Sequence, residues 1–218
     1  MESNSNRSVI IAMRHGHRAD MNGTVENWDE YDRQTRPYDS PICDRILPAT
    51  NAQLLKPFNV TIVVSSPFRR CLETAGIVCR ELGVSCLHVD YGLSENMTYI
   101  RDTFSCSDLH FLPQDLMQAA VGEDVTIVSF GGDFLLSESN EDTAARYLRT
   151  YHRLLTEHYP HSVLCVTHWD GVMRLATEVM NHTPGAIYAH VAECGFLVLK
   201  AEDRRPLLAH DVNLVMNK

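Results

Sequence analysis

Two histidines and a group of arginines stand at the ends of apolar runs that a sheet would set side by side. Arg14-His15-Gly16 follows Val9-Ile10-Ile11-Ala12-Met13, and Ser66-Pro67-Phe68-Arg69-Arg70 follows Val60-Thr61-Ile62-Val63-Val64. Glu95 comes after a third run, Cys86-Leu87-His88-Val89, and Thr167-His168 after a fourth, Val163-Leu164-Cys165-Val166. A neutral imidazole can attack phosphorus and hold it covalently. Guanidinium groups stay charged and present forked donors to phosphoryl oxygens. A carboxylic acid beside them can protonate the leaving oxygen. A phosphoryl group in transfer spreads its charge over equatorial oxygens, so fixed positive donors, an in-line nucleophile and an acid are what its cleavage needs.

These side chains need a scaffold, and the runs supply one. They do not alternate, which predicts strands buried on both faces, as in a parallel sheet. Open α/β sheets hold their ligands just past the carboxyl ends of such strands. Leu72, Ala75, Val78, Cys79 and Leu82 recur at helical spacing until Gly83. Glu141 to Tyr159 carries the clearest stripe, with Tyr147, Tyr151 and Leu154 on its core face and Pro160 stopping it. Asn51 to Lys56 reads as a short helix and Val172 to Met180 as another, and Phe196 to Leu199 with Leu207 to His210 as a closing hairpin. Residues 19 to 50 and 97 to 136 show little periodicity. They read as loop insertions over the site, the first packed through Trp28, Tyr31 and Tyr38, the second with a helix at Leu116 to Val121. The expectation is a single domain over residues 1–218, an α/β fold built as a three-layer α/β/α sandwich around a mainly parallel sheet.

Composition narrows the partners. The chain has 218 residues and a net charge of -9, which argues against general binding to nucleic acid or an anionic membrane. The 7 cysteines are odd in number and scattered, so they read as reduced thiols and point to a cytoplasmic protein. Met1 to Ser8 is polar and lacks an apolar signal core. The Asn-X-Thr sequons at Asn22, Asn59, Asn96 and Asn181 therefore read as chance. The sequence leaves the oligomeric state open.

Arg14-His15-Gly16, the segment from Ser66-Pro67 through Arg70 to Thr74-Ala75, and the strand ending at His168 together resemble the histidine phosphatase superfamily, in its phosphoglycerate mutase-like branch. Glu138-Ser139 with Asp142 and Arg146 resembles the start of a family helix. Within the branch, Arg18-Ala19-Asp20 is nearer to phosphatases related to the suppressor of T-cell receptor signalling proteins and to the ecdysteroid-phosphate phosphatases than to the glycolytic mutases. The resemblance implies a phosphoglycerate mutase-like fold and a metal-independent phosphatase without a cofactor, acting on a small phosphorylated substrate or a phosphopeptide. It implies His15 as nucleophile, Arg14, Arg70, Arg18 and His168 around the phosphoryl oxygens, and Glu95 as proton donor, with Asp90 a nearby alternative. His17 stands where many members have Glu, and Trp169 where the family often has Gly. Trp169 is expected either to bind a substrate ring or to fill space beside the sheet.

Three other readings compete. Mutase-type phosphoryl transfer needs an intermediate shielded from water. A zinc hydrolase would use His15, His17 and Asp20, although Arg14 and Arg18 would repel the cation. A non-catalytic phosphate-binding module would keep the arginines without turnover. Cysteine-based phosphatase chemistry fits poorly, since Gly171 stands where the loop from Cys165 would need an arginine.

Overall fold

Four parallel carboxyl ends meet on one edge of a seven-stranded sheet. The structure is a computed structural model describing residues 8–21, 23, 28–106, 108–179, 187–203 and 206–216. The strands are β1 (Val9–Arg14), β2 (Val60–Ser65), β3 (Cys86–Asp90), β4 (Thr126–Gly131), β5 (Ser162–Thr167), β6 (Ile187–Lys200) and β7 (Pro206–Met216), in the order β4-β3-β2-β5-β1-β6-β7. The first five run parallel, and β6 and β7 close the sheet antiparallel. From β1 the chain steps over one position to β2, moves outward to β4, and returns with β5 between β1 and β2. That reversal of strand order is where open α/β sheets form their binding crevice.

The unalternated runs face two cores. In β1, Val9, Ile11 and Met13 enter one apolar cluster while Ile10 and Ala12 enter the other; in β5, Leu164 and Val166 part from Val163 and Cys165 in the same way. Among the described residues seven α-helices flank the sheet: α1 (Glu30–Thr35), α2 (Ile46–Gln53), α3 (Arg69–Leu82), α4 (Met97–Phe104), α5 (Gln114–Val121), α6 (Asn140–His158) and α7 (Trp169–Val179). The first cluster takes the apolar faces of α2, α3, α4 and α5, and the second takes Tyr147, Tyr151 and Leu154 of α6 with Val172 and Leu175 of α7. Gly76 lets α3 and α5 touch, since a Cβ there would lie 2.2 Å from the carbonyl oxygen of Val121. Gly83 closes α3 in the left-handed region at φ 71°, and Ser139 and Asp142 cap α6 reciprocally.

The two stretches read as loops hold regular elements. Residues 19 to 50 contain α1 and most of α2, which begins earlier than Asn51. Trp28 and Tyr38 are buried there, but Tyr31 is 70% exposed. Residues 97 to 136 contain α4, α5 and the edge strand β4, whose mostly exposed pattern explains its weak sequence signal. The closing hairpin is much longer than read, because bulges and polar residues between Val191 and Phe196 interrupt its pattern. Met180, Asn22 and Asn181 lie outside the described residues. No helix among the described residues is long and apolar enough to cross a membrane.

Candidate active site

His15 leaves β1 on the edge where β1 meets β5. Its backbone N–H donates to Thr167 O at 2.9 Å, and its carbonyl accepts from Cys194 N at 3.2 Å. The ring is 3% exposed. Nδ1 lies 2.8 Å from the carbonyl oxygen of Gly16, which can only accept, so Nδ1 carries the proton and Nε2 keeps its lone pair. Arg14 donates from Nη1 to Val191 O at 2.6 Å and pairs through Nη2 with Glu193 at 3.0 Å.

His168 ends β5, fully buried, with its ring 5.4 Å from that of His15 and set edge-on to it. Arg70 enters from the first turn of α3, donating from Nη2 to Nδ1 of His168 at 3.2 Å and from Nη1 to Tyr38 O at 3.0 Å. That assigns the ring proton of His168 to Nε2, which reaches Ser66 Oγ at 2.9 Å. Arg70 lies over the Phe68 ring and is itself fully buried; among the described residues its Nε and the buried Nε of Arg14 have no hydrogen-bond partner. Two unspent guanidinium donors beside an imidazole lone pair make a place fitted to an anion.

Glu95 completes the group from the loop after β3. Its Oε2 lies 3.3 Å from Nδ1 of His168 and 3.8 Å from Nη2 of Arg70, and its side chain is 18% exposed. Buried groups hold that loop. Arg146 makes two bonds to the Glu138 carboxylate, at 2.6 and 3.0 Å, and donates to the carbonyls of Gly92, Ser94 and Glu95. Tyr147 Oη adds a bond to Ser94 O, and Thr167 Oγ1 one to Leu93 O.

A cleft of about 630 Å³ opens above His15. Arg14, His15, Arg18, Glu95 and Trp169 line it with His17, whereas Arg70 and His168 lie beneath its floor. Trp169 opens α7 on the cleft wall and is 36% exposed. Arg18 is on the wall but bound to Asp20 through Nε at 3.0 Å and Nη2 at 2.5 Å. Asp20 also accepts from Ser40, so it turns away from His15 and His17 instead of joining them as a ligand set. Among the described residues no three His, Cys, Asp or Glu side chains are grouped to hold a metal ion. Arg69 is spent on Asp32 and Glu73, and Asp90 on Arg153 and Gly92 N. Tyr38 is bonded to His110 in the core, and neither it nor Tyr31 reaches the cleft.

The sequence reading missed other wall residues: Met21, Tyr99, Asn96, Asn140, Asp170 and Glu193. Asp170 adjoins His168 and Trp169 in sequence, a proximity that could have drawn notice. Glu193 had only the broken strand pattern around it, which marks the β6 bulge.

Burial and the neighbouring Arg70 and Arg14 hold His15 well below the usual imidazole range. Burial lowers His168 likewise, helped by Arg70 and His15. Glu95 is pushed up by burial and by Asp170, against the opposing pull of Arg70. Asp170 is raised by burial too, although Arg174 pairs with it at 3.1 Å. Neutral imidazoles beside a carboxylic acid inclined to keep its proton form a set matched to acid-assisted nucleophilic attack.

Fold and site together define a phosphatase-class enzyme. The chain belongs to the histidine phosphatase superfamily (branch 1), whose sequence profile matches residues 10–213. No curated protein matches it. Among solved structures, the ecdysone phosphate phosphatase from Bombix mori, in complex with tungstate, superposes with a TM-score of 0.70 at 14% identity, covering 97% of this chain and 96% of that one. A mycobacterial glucosyl-3-phosphoglycerate phosphatase gives 0.54 at 16% identity, over 96% and 97%. A phosphoserine phosphatase from Entamoeba histolytica, as a variant with phosphoserine, gives 0.56 at 14%, over 94% and 96%. At these identities the likeness is one of fold.

Proposed function

We propose that this protein is a metal-independent phosphomonoesterase that works through a phosphohistidine on His15. The observation that carries this reading is the tautomer of His15: Gly16 O takes Nδ1–H, leaving the Nε2 lone pair beside Arg14 and the edge of His168. In the first step Nε2 attacks phosphorus, the bond to the ester oxygen breaks, and Glu95 gives its proton to the leaving alcohol. In the second, water attacks phosphorus, Glu95 takes the water proton, and the P–N bond breaks with its electron pair returning to Nε2. Arg14, Arg18, Arg70 and His168 hold the equatorial charge. Because Glu95 covers Arg70 and His168 from the cleft, its carboxyl turns outward as the phosphoryl group enters, which brings it to the leaving oxygen.

The substrate is a small phosphorylated molecule or a phosphopeptide, and the likeness of Arg18-Ala19-Asp20 to the phosphatases related to the suppressor of T-cell receptor signalling proteins supports phosphatase over mutase chemistry. Residues 1–218 act as one domain. The buried thiols of Cys71, Cys79, Cys165 and Cys194 support a reducing, cytoplasmic location. Rapid quench with labelled para-nitrophenyl phosphate tests the mechanism. Acid-labile, alkali-stable label on the wild type and none on His15→Ala is the expected result; turnover by His15→Ala at the wild-type rate would refute it.

A further inference from the structure

We infer that Glu193 makes the cleft reject leaving groups that carry their own negative charge, so the substrates are phosphate monoesters of neutral or cationic alcohols. The inference rests on the phosphatase reading and adds the class of alcohol.

The β6 bulge fixes Glu193 against the site. Cys194 N–H donates to the carbonyl of His15 at 3.2 Å, and Asn51 Nδ2 donates to Cys194 O at 3.1 Å. A Cβ at Gly195 would lie 2.9 Å from two backbone oxygens, Ala192 O and Asp211 O, so the turn needs glycine there. Bulges re-aim a side chain in this way. The carboxylate that results sits 3.0 Å from Nη2 of Arg14. Its other oxygen faces Nδ1 of His17 at 3.8 Å.

The charges on the cleft wall are therefore claimed. Arg14 is held by Glu193 and Val191 O, and Arg18 by both oxygens of Asp20. The wall also carries Glu95, Asp170 and Glu193, with Asp170 tied to Arg174. Besides His15, His17, Asn96 and Asn140, the wall carries Met21, Tyr99 and Trp169, which are 75%, 60% and 36% exposed. The phosphoryl group itself meets the unspent donors of Arg14 and Arg70. A second anionic group on the alcohol would meet Glu193 and Asp170 and, among the described residues of the wall, no unclaimed cation. Bringing like charges together in this way is one device by which a site refuses a wrong ligand. A neutral ring or an alkylammonium group would instead lie on the aromatic and thioether wall.

The test is a matched pair of phenyl phosphates bearing a para-carboxamide or a para-carboxylate, assayed with the full chain. The wild type is expected to favour the carboxamide by about tenfold or more in kcat/KM, with most of the difference in KM. Glu193→Gln should cut that ratio to less than about threefold, because Arg14 is then free to take the carboxylate. Glu193→Asp, which keeps the charge, should preserve it. Equal use of the two esters by the wild type, or an unchanged ratio in Glu193→Gln, would overturn the inference. Calorimetry with the two corresponding phenylphosphonates reads the same preference without turnover. A retained binding preference with neither ester hydrolysed supports selection by Glu193 and counts against the phosphatase reading alone.

Discussion

Oε2 of Glu95 lies 3.3 Å from Nδ1 of His168, so this carboxyl group of the cleft wall rests on the imidazole beneath it. That ring already accepts from Arg70 and donates to Ser66, which keeps it neutral, and a protonated Glu95 is the partner that fits it. The pH dependence follows from the directions of the shifts. Glu95 is raised, so its proton survives into less acidic solution and is lost as pH climbs through its value. His15 is lowered, so its lone pair persists well into acid. Activity should hold over a mildly acidic plateau and fall on the alkaline side. In Glu95→Gln that alkaline limb should vanish, with a loss of about 10²-fold for alkyl phosphates and less for para-nitrophenyl phosphate. A limb that persists in the variant would assign it to another group.

Arg70→Lys separates the two adjacent arginines. Arg70 spans His168 and Tyr38 O with a buried fork, and an ammonium cannot reproduce that geometry. Its kcat/KM should drop by at least about tenfold. Arg69→Lys should stay within about threefold of wild type, since Arg69 serves Asp32 and Glu73 on the flank of α3. Steady-state kinetics on para-nitrophenyl phosphate checks both, and equal losses would mean that the α3 start as a whole is being disturbed.

Wherever burial was two-sided or strictly periodic, the sequence was readable. β1 and β5 announce themselves because both faces are buried, and α3 and α6 because one stripe is apolar. Residue types at those strand ends then located His15, Arg70 and His168 without knowledge of their contacts. What escaped was set by tertiary context. β4 is a half-exposed edge strand, and Tyr31 projects outward although its aromatic ring suits a core. Glu193 reaches Arg14 across 179 residues of chain, through a bulge whose geometry comes from Gly195 and the partner strand. No local pattern encodes a pairing of that kind.

Arg146 should prove to be a positioning residue for Glu95. It bridges the fully buried Glu138 carboxylate to three carbonyls of the loop that carries Glu95. Arg146→Met leaves Glu138 charged and unpaired, which costs about 3–5 kcal/mol in buried pairs. Adding Glu138→Gln should return part of that stability in urea melts. It should not return kcat, because the loop carbonyls still lack their donor. Recovery of full activity in the double variant would show that Arg146 serves the fold alone.

Asp39 gives the last prediction, one of stability. It is 3% exposed, accepts from Arg69 N at 2.7 Å, lies 3.9 Å from Nη1 of Arg70, and has one carboxylate oxygen without a partner. Burial carries it from 3.8 up to about 6, although Arg70 pulls the other way. A folded state with the higher value binds the proton more tightly than the unfolded chain. Its contribution is therefore complete below about pH 4 and drains away as pH rises to about 6, a change of roughly 3 kcal/mol if nothing relaxes. His15 and His168, lowered on folding, act in the opposite sense, losing their contribution as pH falls below the usual imidazole range. The clean measurement is thus the difference between wild type and Asp39→Asn, which keeps the acceptor for Arg69 N but cannot ionise. Urea unfolding across pH 4 to 7 should show the variant gaining on the wild type as pH rises, and parallel curves would mean that Asp39 stays ionised throughout.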